Sequence, residues 1–465
     1  MGRKPNRHCG ADFHESYIRA AIVNNNSWEN DEDIVAEANF VNDVEGHHEY
    51  VKWLRENGCR YIGMESTGNY WKASAYTLIE NGMDVRVGNA EKMKNVISSK
   101  TDKLDARWIA RLMRDGYIPK SNVLTKEYDD FRSTVRTRNG LVKDRTATKN
   151  RVSALVAKMG VRMKCSDKFG KFGRRVLKAI AKGDDLESIF KSKDGEKLGY
   201  TKDEFIALLE THITQPLRNQ LDIWMNRIDE LDSAIVKVEN MVAKMIHEDA
   251  TMLEQIEIIR STPGFADIAA PIVLAEIGDI SVFPQYKHFC SYTGLVPLVY
   301  QSGERIKDGE KILYINTGRL RPSSNKRLKW IFIQAANVLA KQDVTPLNKP
   351  LIDFYRRILN RHSGRHKRSK AICALAHKLA KIVWTLLTKG ETYRGADGSE
   401  KSIKPFKKGK DEQVCSEHSI LNRVQNILSI KRRMFERMLP VNLGQRDQRA
   451  LPPEKPIKTL WDVSI

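Results

Sequence analysis

The chain has 465 residues, enough for two or three domains with ordinary cores. Lys and Arg number 79 against 58 Asp and Glu, and the formal net charge of +21 favours a polyanionic partner such as nucleic acid, with a membrane surface as the competing interpretation. The chain lacks a run of about 18 apolar residues and a signal-peptide core, which argues against a membrane protein and favours the cytoplasm. Six scattered cysteines argue against a disulfide framework or a zinc site.

Residues 8–120 alternate between strand and helix patterns. We predict strands at 10–13, 17–23 and 34–38, a helix at 44–57, a strand at 60–64, a helix at 70–80, a strand at 85–87 and a helix that starts near residue 102. Three strands followed by αβαβα is the order of an α/β RNase H-like domain. In that fold the first and fourth strands are neighbours, which would bring Asp12 and Glu65 together.

Four acidic residues stand out in this segment. Asp102 and Asp105 are three apart in a first helical turn, so both project from the same face, while Asp12 and Glu65 each join a short apolar run. Any one of them alone is most simply a helix cap or a partner of a helix dipole. Together, in a strongly basic protein, they favour a site for Mg²⁺, or alternatively Mn²⁺, acting on phosphates.

The middle of the chain is basic and then heptad-patterned. Residues 131–164 hold ten Lys and Arg and one acid, Asp144, which predicts a helix lying along phosphates. Residues 165–200 read as a loop or a small inserted element. From Leu217 to Met245 apolar residues alternate in steps of four and three, which predicts a coiled coil. Its partner is either the helix at 126–160 or a second protomer, and Trp224 in the seam favours the intramolecular pairing.

The C-terminal half is mainly α-helical in pattern. The Thr-Pro-Gly turn at 262–264 reads as a helix-hairpin-helix turn in which Gly264 lets backbone N–H groups approach a phosphate, or as a purely structural turn. Residues 305–329 carry a net charge of +6, and an apolar helix is predicted at 371–387. The predicted domains are 1–125, 126–255, 256–393 and a basic tail at 394–465, with one helix near 416–438.

Six motifs in order resemble one family. They are Asp12, MESTGNYW at 64–71, KTDKLDA at 100–106, TPG at 262–264, YTGLVP at 292–297 and SG at 302–303. This series resembles the DEDD transposases of bacterial insertion sequences, which are understood as bridge-RNA-guided DNA recombinases, and the resemblance covers residues 8–393.

The resemblance implies a RuvC-like (RNase H-like) N-terminal domain, a helical coiled-coil middle and a mainly α C-terminal transposase domain that supplies a serine. By position, Asp12, Glu65, Asp102 and Asp105 would bind Mg²⁺, and Ser302 would attack a DNA phosphate to form a phosphoserine link. The implied partners are donor and target DNA, a structured guide RNA and further copies of the chain, as dimers that assemble into tetramers.

The chain departs from the family pattern after Ser302. Residues 315–329 lack the usual Lys-x-Gly and Leu-Arg residues, and an apparent insertion brings Ser323 and Ser324, which compete with Ser302 as nucleophile candidates. Two other functions stay open. One is a divalent-metal nuclease of the Holliday-junction type that uses water, and the other is a basic nucleic-acid scaffold whose acids are only helix caps.

Overall fold

The N-terminal part of the protein is organised around one five-stranded sheet. The computed structural model describes residues 7–26, 31–66, 68–88, 102–118, 124–165, 167–183, 190, 198–307, 310–320 and 324–406. The first elements in chain order are β1 (His8–Phe13), β2 (Tyr17–Val23), β3 (Ile34–Val41), α1 (Val44–Glu56), β4 (Tyr61–Glu65), α2 (Lys72–Glu80), β5 (Asp84–Gly88) and α3 (Asp102–Arg114). The strand order in the sheet is β3-β2-β1-β4-β5.

The central strand β1 pairs antiparallel with β2 and parallel with β4. The predicted adjacency of the first and fourth strands is therefore confirmed, and the predicted elements match the observed ones to within a few residues. Alternate residues of β1 face opposite sides of the sheet. Cys9 packs towards α1, where its thiol lies 3.2 Å from the hydroxyl of Tyr50, while Gly10 faces α3.

In the described part of the region that follows, four helices are present, of which two are long. They are α4 (Lys126–Lys158), α5 (Lys171–Lys182), α6 (Lys202–His212) and α7 (Gln215–Glu248). Helices α4 and α7 pack along each other, so the partner of the heptad-patterned helix is the basic helix of the same chain. At the position where Trp224 was expected in the helix seam, the buried residue is its neighbour Met225. Trp224 itself is half-buried, and the guanidinium of Arg151 lies 5.3 Å from its ring.

Three arginines of α4 are paired with acids of the same chain, and the expectation that this helix lies along phosphates stays a prediction. Arg138 bonds to Glu239 and Arg145 to Asp232, both on α7. These acids lie where the heptad pattern of α7 meets α4. Arg138 and Arg145 therefore help to pair α4 with α7, and their acidic partners are 101 and 87 residues away in sequence.

Residues 171–182 lie in the segment that was expected to be a loop or a small inserted element, and they form the helix α5. Its apolar residues Val176, Leu177 and Ile180 are buried in a core shared with α4 and α7. Glycine-rich flanks hide this pattern in the sequence, but the helix itself is strongly amphipathic. Residues 184–189 and 191–197 of the same segment lie outside the described residues.

The C-terminal half is a helical core with one β-hairpin. Its elements are α8 (Ala250–Ser261), α9 (Ala269–Ile277), α10 (Tyr286–Tyr292), β6 (Pro297–Lys307), β7 (Glu310–Leu320), α11 (Lys326–Leu339), α12 (Lys349–Arg361) and α13 (Lys367–Lys389). The hairpin was not among the predicted elements. Helix α13 extends the helix predicted at 371–387 at both ends.

Helix α13 is the one described helix that is long and apolar enough to span a membrane. Its apolar face is buried within the protein, because Leu375, Leu379 and Val383 pack against neighbouring helices of the C-terminal core and are fully buried. The helix is therefore explained as the centre of a globular core.

Residues 394–406, which the sequence placed in the tail, pack back on the C-terminal core. The ammonium of Lys401 donates to the carbonyl oxygens of Arg260 and Phe265, each at 2.8 Å. The ring of Phe406 is buried, 5.4 Å from the guanidinium of the buried Arg260. The helix predicted near 416–438 lies outside the described residues.

Candidate active site

Asp12 and Glu65 end two neighbouring strands at the same edge of the sheet. Ala11 on β1 is aligned with Met64 on the parallel strand β4, so Asp12 and Glu65 are the next aligned pair. Aligned residues on adjacent strands point to the same face, and adjacent strands lie about 4.8 Å apart. The two carboxylates are therefore held side by side, as predicted.

Helix α3 covers the face to which these carboxylates point. Gly10 and Gly63 lie two residues before Asp12 and Glu65, and both face α3. A Cβ atom built on Gly10 would lie 2.2 Å from the carbonyl oxygen of Ala106 and the amide nitrogen of Ala110. Without a glycine at position 10 the helix could not approach the strand this closely.

Helix α3 runs antiparallel to β1, so that its first turn points towards Asp12. Its last residue, Arg114, influences the pKa of His8 at the start of β1, where burial lowers that pKa first and the arginine lowers it further. Ala106 lies over Gly10 in the middle of the strand. The preceding turn, which contains Asp105, therefore extends towards the carboxyl end of β1.

Three arginines on one face of α3 fix its position on the sheet. Arg107 bonds bidentately to Glu37 of β3, and Arg111 bonds to Asp33. Arg114 also reaches Asp33, at 3.0 Å. Burial alone would raise the pKa of Asp33, but the hydrogen bonds and charges of Arg111 and Arg114 outweigh burial and lower it. The sequence analysis missed this group, although the arginine spacing of four and three was a visible signal.

The structure thus brings Asp12, Glu65 and the Asp105 turn to one edge of the sheet. Asp102 begins α3, and its side chain lies outside the described part of the chain. Among the residues that the structure describes, no group of three or more His, Cys, Asp or Glu is arranged closely enough to hold a metal ion. The donors at this edge are carboxylate oxygens, which chemically fit a hard divalent cation.

His14 is a further polar residue at this edge that the sequence analysis did not select. Its Nε2 lies 3.1 Å from Oδ2 of Asp12, and its ring stacks on Tyr17 with centroids 4.4 Å apart. Its carbonyl oxygen accepts a hydrogen bond from the side chain of Asn42. These contacts hold His14 over the end of β1 and orient the carboxylate of Asp12. The spacing Asp-x-His just after a strand was the available signal.

Ser302 lies within β6, at an irregularity in the hairpin. Gln301 is aligned with Ile315 and Glu304 with Leu313, so β6 has one more residue than β7 between these two pairs. Ser302 and Gly303 form this β-bulge. Bulges bend a strand and redirect side chains, and they are common next to active sites. The side chain of Ser302 lies outside the described residues, as does all of Ser323.

The base of this hairpin is held by a buried carboxylate. Glu276 at the end of α9 is 1% exposed and accepts two hydrogen bonds from Arg136 of α4, at 2.9 and 2.8 Å. It accepts a third from the side-chain amide of Asn325, which follows β7. The backbone N–H of Asn325 also donates a hydrogen bond to the backbone carbonyl oxygen of Tyr292, which precedes β6. Both ends of the hairpin are thus tied to one point and to α4.

Two glycines have packing roles in this half. Gly264 has φ +92, and a Cβ there would lie 2.7 Å from the carbonyl oxygen of Ala335, so the Thr-Pro-Gly turn packs directly on α11. Gly294 has φ +69 and contacts Ser324. The structural interpretation of the turn at Gly264 therefore has a direct explanation in packing, and Ser324 belongs to the base of the hairpin.

Two stretches of the chain match known transposase families. Residues 9–160 match the DEDD transposase family of IS110, and residues 256–350 match the transposase family IS116/IS110/IS902. The first domain implies an RNase H-like fold, with which the mixed five-stranded sheet agrees, and it indicates the use of a divalent metal ion.

Individual relatives agree with these matches. The chain is 25% identical over 341 residues to the transposase for insertion sequence element IS1111A of Coxiella burnetii, covering 72% of this chain and 79% of the relative. It is 25% identical over 326 residues to the pilin gene-inverting protein of Moraxella bovis, covering 68% and 79%. The protein of the same name from Moraxella lacunata is 24% identical over the same length. The chain therefore belongs to the IS110 family of transposases and is an enzyme that recombines DNA.

Proposed function

We propose that this transposase is an RNA-guided DNA recombinase that cuts and rejoins strands through a covalent phosphoserine intermediate at Ser302. The observation that carries the proposal is the meeting of Asp12, Glu65 and the first turn of α3 at one edge of the sheet. The position of Ser302 in a β-bulge of a clamped hairpin supports its role as the nucleophile.

In this proposal Asp12, Glu65, Asp102 and Asp105 hold Mg²⁺, with Mn²⁺ as a substitute. When bound, such ions neutralise charge on the phosphate and stabilise the attacking and leaving oxygens. The side chains of the protein do the rest. His14 orients Asp12, and the arginines of α3 keep the helix that carries Asp102 and Asp105 in place.

The covalent step conserves the phosphodiester bond energy. The hydroxyl oxygen of Ser302 forms a bond to the DNA phosphorus and loses its proton, while the bond from that phosphorus to one deoxyribose oxygen breaks and this oxygen takes up a proton. A hydroxyl from another DNA strand then reverses the step and releases the serine. Strands are rejoined to new partners without ATP.

The partners in this proposal are donor DNA, target DNA and a structured RNA that selects both by base pairing. Dimers assemble into tetramers in which the acidic edge of one protomer meets Ser302 of another. Chromosomal DNA is the substrate, and the named relatives are bacterial, so we place the reaction in the cytoplasm.

The test uses the full chain with its DNA and an RNA transcribed from the flanking non-coding DNA. Recombination should require that RNA, and Asp102→Asn and Ser302→Ala should each abolish it. Denaturing gels of stalled reactions should show protein covalently attached to DNA, and the adduct should be absent with Ser302→Ala. Ser324→Ala is the matched control and should retain the adduct, because Ser324 packs against Gly294.

The second candidate is a divalent-metal nuclease of the Holliday-junction type, with water as the nucleophile. The acid-rich edge and the DEDD family match favour it as much as they favour the first candidate. It is the correct one if cleavage needs the four acids but proceeds with Ser302→Ala. A scaffold without catalysis is the correct one if calorimetric titration with Mg²⁺ shows the same heat for the wild type and for Asp12→Asn.

A further inference from the structure

A large cavity in the C-terminal half lies outside the catalytic residues. It has a volume of about 1020 Å³ and is formed by α10, α12, α13 and the segment that follows α13. Its walls carry aromatic rings and cations, and the residues used below are Tyr286, Phe354, His377, Lys378, Lys381 and Tyr393. A space of this size is ample for one or two nucleotides.

Two lysines of α13 lie over aromatic rings that come from different helices. The ammonium of Lys378 is 4.5 Å from the ring centre of Phe354, and that of Lys381 is 4.5 Å from the ring centre of Tyr286. The guanidinium of Arg357 lies 5.5 Å from the ring of Phe354 as well. Two lysines and two rings therefore line the cavity, and the cation–ring contacts hold the lysines in place.

The charge of these lysines is not balanced by acids that the structure describes. Burial lowers the pKa of Lys378, and the charge of Arg357 lowers it further. Neither lysine takes part in an ion pair formed by the described residues. The lining also contains Glu391, which is exposed, and Arg394, which is paired with Glu400 at 2.8 Å. The cation-lined wall therefore has the charge that an anionic ligand requires.

We propose that this cavity binds an unpaired nucleotide of a nucleic-acid strand, with its base against Tyr286 and Phe354 and its phosphates at Lys378 and Lys381. Aromatic rings that stack on bases, flanked by cations that follow the backbone, are the usual means of binding single strands. A base pair in a duplex presents no free face to such a ring. The ligand is therefore a nucleotide that has left its duplex.

The cavity is connected to the chain just before the serine hairpin by one contact between a side chain and a backbone carbonyl. Nδ1 of His377 lies 3.1 Å from the carbonyl oxygen of Leu295, two residues before β6 begins. A strand held in the cavity would thus lie near the base of the hairpin that carries Ser302. This inference concerns binding alone, so it stands or falls independently of the roles proposed for Ser302 and the acids.

Photocrosslinking of the unmodified full-length chain tests the placement directly. Short single-stranded DNA and RNA carrying 5-iodouracil should crosslink, and mass spectrometry should assign crosslinks to peptides that contain Tyr286, Phe354 or Tyr393. The DNA and RNA arms show which strand is the source. Crosslinks to other peptides only, in both arms, would overturn the proposal.

Variants test the role of the two lysines. For the double variant Lys378→Ala, Lys381→Ala, losing two phosphate contacts should reduce the slope of log affinity against log salt by about 1.4. Tyr286→Leu should weaken single-strand binding about tenfold through lost stacking. Lys341→Ala, an exposed lysine at the end of α11, is the control and should leave both quantities unchanged.

Two results would contradict the proposal in this second experiment. One is an unchanged slope for the double variant when circular dichroism shows that it is folded. The other is an equal loss of affinity for blunt duplex DNA and for single strands, which would mean that the lysines act only as general surface charge. If the double variant fails to fold, Lys378→Gln and Lys381→Gln, made singly, replace it with an expected slope change of about 0.7 each.

Discussion

Gly10 is the residue on which the geometry of the acidic edge most directly depends. A hydrogen atom in place of a side chain lets the backbone of α3 lie against β1 at Ala106 and Ala110. This contact is made by backbone atoms on both sides, so no flexible side chain can move away to relieve a clash. The position of Asp105, one residue before Ala106, follows from it.

We expect Gly10→Ala to destabilise the protein by about 1–3 kcal/mol, because overpacking at a backbone contact forces the helix away. Recombination activity should fall by more than the loss of folded protein explains, since α3 carries two of the four acids. Urea denaturation and an activity assay on the folded fraction measure the two effects.

Gly140→Ala is the matched control for this change. Gly140 lies within α4, and nothing lies within 4 Å of a Cβ built there. In an open helical position alanine should stabilise the helix by up to about 1 kcal/mol. Equal effects of the two substitutions on stability would contradict the role given to Gly10.

At the scale of elements, Glu276 joins α4 to three helices of the C-terminal half. Glu276 lies in the last turn of α9. Its carboxylate accepts hydrogen bonds from Arg136 of α4 and from Asn325, which directly precedes α11. Its backbone carbonyl oxygen accepts a hydrogen bond from the hydroxyl of Tyr292 of α10. Burial alone would raise the pKa of Glu276, but hydrogen bonds from Arg136 and Asn325 and the charges of Arg136 and Arg132 outweigh it, so the pKa is lowered.

Glu276→Gln should therefore lower the free energy of unfolding by about 1–3 kcal/mol at neutral pH. A glutamine side chain has one acceptor oxygen and no charge, so it cannot accept both hydrogen bonds that Arg136 donates to the carboxylate. A carboxyl whose pKa is lowered on folding stabilises the protein above its ordinary pKa of about 4.3 and loses that effect as the pH falls through the lower folded value. The difference between wild type and variant should thus shrink as the pH falls below the ordinary carboxyl pKa. Denaturant titrations across this range measure it.

Glu239→Gln makes the same chemical change in a more exposed pair. Glu239 bonds to Arg138 across α4 and α7, and its side chain is 42% exposed. Exposed ion pairs contribute about 1 kcal/mol or less. If Glu239→Gln were as costly as Glu276→Gln, burial would not be the reason for the importance of Glu276.

At the scale of the whole molecule, the first turn of α4 is where the α/β domain meets the helical remainder. Asp129 accepts hydrogen bonds from Lys72 of α2, at 2.9 and 3.2 Å. Burial and a hydrogen bond to Asp129 raise the pKa of Tyr76 on the same helix. One residue earlier, Tyr128 donates to Gln255 of α8. A single turn thus contacts both halves of the protein.

Asp129→Asn should weaken the link between the α/β domain and α4, because it removes the charge that holds Lys72 and the acceptor used by Tyr76. In differential scanning calorimetry we expect the α/β domain to unfold at a lower temperature than the remainder, as a separate transition. The neighbouring variant Asp130→Asn changes an exposed carboxylate and should keep the wild-type profile. Identical profiles for both variants would show that Asp129 does not couple the two halves.

The sequence predicted the α/β domain well because its signals are local. Apolar runs, turn residues and the strand order together placed Asp12 beside Glu65 without any long-range information. The packing partners of α4 could not be predicted, because three of its arginines bond to Glu239, Asp232 and Glu276, which are distant in sequence. The hairpin at 297–320 was missed for a different reason. Its bulges break the alternation by which strands are recognised.

The docked segment at residues 394–406 sets a practical limit on how the protein can be divided. Lys401 donates hydrogen bonds to the carbonyl oxygens of Arg260 and Phe265, and the ring of Phe406 lies over the guanidinium of Arg260. A shortened gene that stops after residue 393 would leave those carbonyl groups and a charged side chain uncovered at the surface of the core. Any shortened form of the enzyme should therefore retain the chain at least as far as residue 406.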